Sequence, residues 1–101
     1  AMAPLGTIVD AGVWQRVFHE VARQQVAGAK QFSREFGGVV ELLREVQTVV
    51  QAGTAGEQWA ILREQMVKLL NSENGDSVRR FFPDFDLILN RLQFYQFQFQ
   101  N

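Results

Sequence analysis

Cysteine is absent from the chain, which excludes disulfide bonds, thiolate metal sites and cysteine nucleophiles together. Proline occurs only at Pro4 and Pro83, and histidine only at His19. No apolar run approaches the ~20 residues needed to cross a bilayer. Neither sign of charge dominates: ten Lys and Arg against eleven Asp and Glu leave a formal charge of −1, with acids and bases interspersed. Such a balance offers no global field to draw in nucleic acid or acidic lipid. No phosphate-binding glycine loop, zinc spacing, nucleophile elbow or dinucleotide fingerprint is present. With no basic and apolar leader before the first helix, the expected location is cytoplasmic.

The 101 residues suffice for one domain that buries roughly two thirds of its unfolded surface, and are too few for two cores. Residues 1–9 read as a lead-in, with Ala1, Met2 and Ala3 as a processing remnant. Residues 10–101 read as a single helical domain, expected to be a piece of a larger protein.

What the chain does have is an apolar stripe with steps of four and three: Phe32, Phe36, Val39, Leu43, Val46, Val50. That beat of 3.5 keeps every member on one side of a helix and matches a lengthwise helix seam. Continued backwards it meets Phe18, Ala22, Gln25 and Ala29. Asp10 is the expected N-cap of the helix that carries Trp14, Val17, Phe18 and Val21, and Ala52 and Gly53 signal its end. Gly28, Gly37 and Gly38 each cost up to about 1 kcal/mol inside a helix. The register nevertheless survives from Phe36 to Val39, which places Gly37 and Gly38 on the outer face. Two arrangements follow for residues 11–51. One is a continuous or bent helix, about 60 Å long if straight, around which the molecule is elongated. The other is a break near Gly28 and a compact bundle.

Thr54 and Glu57 match a capping box that opens a helix over 54–71, with Trp59, Leu62, Met66, Leu69 and Leu70 on its apolar face. A short turn over 77–82 presents Val78, Phe81 and Phe82. Pro83 stops it and opens a last helix over 84–96, with Asp84 and Asp86 favourable to its dipole and Phe85, Ile88, Leu89, Leu92 and Tyr95 inward. The tail from Gln96 to Gln100 alternates Gln and Phe, a period that suits a strand or frayed end as well as a helix. The fold class is all-α: a long first helix covered by two or three shorter ones. On a straight rod, the helix over 54–71 is expected to fold back along the second half of the first, and the last helix to reach its first half.

Candidate chemistry is sparse. His19 sits at the edge of an apolar face with no motif supplying a catalytic partner. Glu41 and Glu45 share a helix face, but Glu41 with Arg44 and Arg16 with Glu20 read as ordinary surface pairs. The loop 71–76 is rich in oxygen ligands, yet placing Gly75 at position six of a calcium loop puts Leu70 at position one, so the pattern fails. Arg16, Arg23, Lys30 and Arg44 fall at steps of seven with Gly37 missing. On a continuous rod they would form a basic line able to track phosphates or an acidic helix, screened by Glu20, Glu35 and Glu41. Arg79 and Arg80 beside Phe81 and Phe82, and the surplus aromatics Phe94, Phe97 and Phe99, are the candidate partner contacts.

The expectation is therefore a non-enzymatic helical interaction or assembly domain, acting through an apolar helix face and the C-terminal aromatics on a protein partner or a second copy. It implies no cofactor, no metal, no small-molecule substrate and no membrane span. The alternatives are a nucleic-acid or anionic-surface module using the basic line, and an enzyme or carrier with a pocket lined by Trp14, Trp59 and His19.

Overall fold

The computed structural model describes residues 9–52 and 57–100, with side chains described except at 27–29, 57 and 94–100. Among these the chain forms four helices and no strand: α1 (Ala11–Ala52), α2 (Glu57–Asn71), α3 (Gly75–Phe81) and α4 (Phe85–Gln100). The all-α bundle is as expected from periodicity. α1 starts where the cap residue places it, with the Val13 N–H donating to the Asp10 carboxylate at 3.2 Å. Thr54 and the Glu57 side chain lie outside the described residues.

The long first helix spans Ala11–Ala52 with no loop between, but it is not a straight rod. A straight helix of 42 residues would run about 63 Å, and the whole molecule measures 45 × 26 × 18 Å. Phe18 and Arg44, 26 positions apart, would lie about 39 Å apart on a straight axis. Instead the Arg44 guanidinium sits 4.5 Å from the centre of the Phe18 ring. α1 therefore doubles back, giving a first leg and a second leg that lie side by side. The reversal falls within residues 22–31, where no described side chain is buried and Val26 is 90% exposed.

This corrects the elongated arrangement around a straight helix: the molecule is compact, with a radius of gyration of 13.7 Å against about 13 Å for a globular chain of this length. Composition explains where the reversal falls. Ala22 to Lys30 carries little apolar surface, so bending there sacrifices few contacts. Folding the legs together lets both apolar faces share one core instead of each needing a cover of its own length.

The apolar stripe is buried in full, from Phe32 through Val50. Its backward continuation is not: Phe18 is half-buried, and Ala22 and Gln25 are exposed. The first leg instead buries Val13, Trp14, Val17 and Val21. On the second leg Val40, Leu42 and Val49 are buried as well, so its apolar face is wider than a two-helix seam. A helix touched by two neighbours needs that width, and here the first leg and α2 both lie against it.

Gly37 and Gly38 lie on the outer part of α1, and a β-carbon added to either would meet nothing within 4 Å. Their cost is thus purely conformational. Gly37→Ala and Gly38→Ala should each raise stability by about 0.5–1 kcal/mol, seen as a higher urea midpoint with an unchanged m-value.

α2 returns antiparallel along the second leg, burying Trp59, Leu62, Met66 and Leu70. It ends at Asn71, and a tight corner leads into α3, with the Gly75 N–H donating to the Ser72 carbonyl at 3.0 Å. Gly75 starts α3 and is itself buried. A β-carbon there would collide with the Leu70 carbonyl, so glycine lets the two helices meet backbone to backbone. The helical turn thus begins at Gly75 and not at Ser77. Pro83 closes it, and the Asp84 carbonyl accepts the Ile88 N–H at 3.0 Å to open α4.

α4 buries Phe85, Ile88, Leu89 and Leu92 and stays helical through Gln100. The two-residue alternation at its end does not make a strand. A helix already nucleated gains a hydrogen bond with each added residue, whereas an extended tail would need a neighbouring strand, and none exists among the described residues.

Four phenylalanines lock α3 to α1. Phe36 lies 5.1 Å from Phe81 and 5.9 Å from Phe82, and Phe32 lies 5.4 Å from Phe36 and 6.1 Å from Phe82, all between ring centres. These separations are in the range where aromatic pairs add to simple burial.

Candidate functional site

Two depressions in the surface follow from this packing. One is a groove of about 420 Å³ between the second leg of α1 and α2, lined by Glu35, Gly38, Val39, Leu42, Gln65, Lys68 and Leu69. Val39, Leu42 and Leu69 make an apolar floor. Gly38 leaves one wall without a side chain, and Glu35 and Lys68 stand on opposite walls.

The other is a cleft of about 460 Å³ between the first leg and the corner joining α3 to α4. Arg16, Val17, His19 and Glu20 line one side of it, and Arg80, Phe81, Phe82, Pro83 and Asp84 the other. Both volumes fall in the range of ligand sites.

The charges around the cleft are largely engaged. Arg16 reaches across to Asp84, with Nε 3.3 Å from Oδ2, and Arg79 pairs with Asp86 at 3.1 Å. Arg23 holds Glu20 in a two-pronged contact of 2.6 and 2.9 Å, and the Gln24 side-chain amide donates to the same carboxylate. Those hydrogen bonds, from Arg23 first and Gln24 second, bring the Glu20 carboxyl down to about 2 from its usual 4.5.

A carboxyl depressed in the fold contributes stability that is present above its ordinary range and lost as pH falls towards the depressed value. Carbon-detected NMR titration should therefore find the Glu20 midpoint well below those of the other glutamates. In Arg23→Gln it should move back up.

The structure redistributes the ion pairs read from sequence. Arg16 bonds Asp84 and not Glu20, because the α3–α4 corner packs against the first leg. Arg44 lies over Phe18, and Glu41 stays exposed. Arg16, Arg23, Lys30 and Arg44 consequently do not form a straight basic line. The axis reverses between Arg23 and Arg44, three of the four are held by Asp84, Glu20 or Phe18, and Lys30 is exposed near the reversal.

Asp84 and Asp86 are claimed by different arginines. Among the described residues no three His, Asp or Glu side chains converge as metal ligands would. Trp14 and Trp59 are core residues while His19 is exposed, so the three do not line one pocket.

Arg79 and Arg80 are both exposed but differ: Arg79 is tied to Asp86, and Arg80 lies 5.8 Å from the Phe81 ring centre. The side chains of Phe94, Phe97 and Phe99 lie outside the described residues. No helix among those described is long and apolar enough to cross a membrane.

Gly38, Gln65 and Lys68 in the groove, and Val17 and Pro83 in the cleft, were not marked by any motif. Each depression draws its walls from segments far apart in the chain. The one available signal was Gly38, a helix-interior glycine on the outward side of the stripe. The geometry defines the class: a compact all-α bundle with an apolar groove on one face and a mixed cleft on another. Comparison with protein-family models, with curated proteins and with solved structures gives no match.

Proposed function

We propose that this chain is a non-enzymatic helical interaction domain, whose groove between α1 and α2 receives an apolar segment of a protein partner or of a second copy. The observation that carries the reading is the groove's composition. Val39, Leu42 and Leu69 form a continuous apolar floor, and the glycine wall at Gly38 allows close backbone approach. Helix-in-groove recognition uses such a floor for affinity, and the opposed charges of Glu35 and Lys68 would set the orientation of what enters. The C-terminal aromatics Phe94, Phe97 and Phe99, with Arg79 and Arg80, belong to the same proposal as further contact residues.

Light scattering combined with small-angle X-ray scattering across a wide concentration series tests self-association. The expected result is a mass that rises with concentration and returns to the monomer in Leu69→Glu, a half-buried groove position at the edge of the core, with a circular dichroism melt showing that the variant is folded. Selection from a library of amphipathic helical peptides tests a foreign partner, with Leu69→Glu as the discriminating variant. A strict monomer that yields no peptide dependent on Leu69 would overturn the proposal.

A further inference from the structure

The cleft between the first leg of α1 and the α3–α4 corner combines an apolar floor, which the groove shares, with two features that the groove lacks. Its floor is apolar, built from the buried Val17 and Phe82 with Phe81 and Pro83 beside them. Both of its acids are already neutralised, Asp84 by Arg16 and Glu20 by Arg23, so neither is left to repel an incoming anion. Its remaining donors make no hydrogen bond among the described residues. Arg80 has no carboxylate partner among the described residues, and its guanidinium lies 5.8 Å from the centre of the Phe81 ring. His19 lines the facing wall, exposed and without a hydrogen bond among the described residues.

A planar guanidinium presents a fork of N–H groups that matches the two oxygens of a carboxylate or phosphate. An imidazole across the gap adds a further donor.

We infer that this cleft binds an oxyanion carried on an apolar or aromatic body, with Arg80 and His19 holding the anion and Val17, Phe81 and Phe82 covering the body. A carboxylate at the end of a polypeptide and a phosphate ester of a small molecule share this chemistry. The inference does not depend on the groove between α1 and α2, and either can fail alone.

Three probes test it by amide and arginine Nε–H NMR titration of the full chain: N-acetylphenylalanine, its uncharged C-terminal amide, and phenyl phosphate. Saturable shifts centred on His19, Arg80 and Phe81 are expected with both anions, and binding of the neutral amide should be about tenfold weaker. Tighter binding of N-acetylphenylalanine points to a chain-end carboxylate, and tighter binding of phenyl phosphate to a phosphate ester.

Arg80→Gln should weaken both anions about tenfold and Arg80→Lys should restore part of the loss, while Arg91→Gln and the groove variant Leu69→Glu leave binding unchanged. Arg80 is exposed, so an unchanged circular dichroism melt will show that its variants are folded. Equal binding of the neutral amide, retention of full affinity by folded Arg80→Gln, or no saturable shift with either anion would each overturn the inference.

Discussion

Gly75→Ala is expected to lower the melting temperature by roughly 12–24 °C, the consequence of about 3 kcal/mol lost from a domain this small. The added methyl has no free direction, because what it meets is the Leu70 carbonyl and its backbone neighbours, not the end of a flexible side chain. To admit it, α3 must pull away from the end of α2, and Val78 and Phe82 travel with α3 out of the core. The intrinsic preference of a helix for alanine acts in the opposite direction by at most about 1 kcal/mol, so the sign of the change decides between the two effects. Thermal melts of the variant beside Gly38→Ala, where no such obstacle exists, give the cleanest contrast: one glycine should be costly to replace and the other beneficial. An increase in stability for Gly75→Ala would mean that the corner relaxes freely.

Phe36→Ala should cost about 3–5 kcal/mol, a large part of the total stability of a domain of this kind. Phe36 is the centre of the four-ring cluster, in contact with Phe32 on its own helix and with both Phe81 and Phe82 from the α3 end. Its removal leaves a cavity where the second leg of α1 meets the corner, so amide exchange should rise first in α3. Phe36→Leu fills most of the space and should lose far less.

A double-mutant cycle with Phe81→Ala separates ring contact from simple burial. Phe81 is only half-buried, so its variant is expected to fold, and a coupling of about 0.5–1.5 kcal/mol is the expected value for interacting rings. Strict additivity in urea unfolding would remove the cluster from the account of what holds α3 in place.

The seam from Phe32 to Val50 was legible because helical period and burial are the same property seen twice: a side chain every three or four residues must face the cover. The N-cap at Asp10 was legible for a similarly local reason, since the carboxylate and the amide it accepts are three residues apart. The pairing of α2 with the second leg followed from length and order alone, whereas α4 packs chiefly on α2 and meets the first leg only just before its start, where Asp84 bonds Arg16. The reversal of α1 was not legible in the same way. Periodicity records which side of a helix is covered, and a helix that bends sharply through small and polar residues keeps its phase on either side. Gly28 and its neighbours hinted at a weak point without indicating whether the axis would turn there.

Gly75 shows the same limit. Beside Asn74 it reads as a turn former, whereas its role is to admit the Leu70 backbone, a contact no local pattern displays. The two depressions were still less accessible. Pro83 and Val17 come to line one cleft, and Leu69 and Val39 one groove, only after the helices have packed. The arginines then take partners by proximity in space, Arg16 crossing to Asp84 instead of bonding Glu20 one turn away.

The order of residues alone determined that this protein is helical, where its helices start and stop to within a few residues, and which faces they bury, because each of these is set by interactions within one or two turns. Tertiary structure decided that the first helix returns on itself, that glycine is required at the corner before α3, and which charges stay unclaimed. Those outcomes depend on how several apolar faces share one core, and on what that sharing brings together from distant parts of the chain.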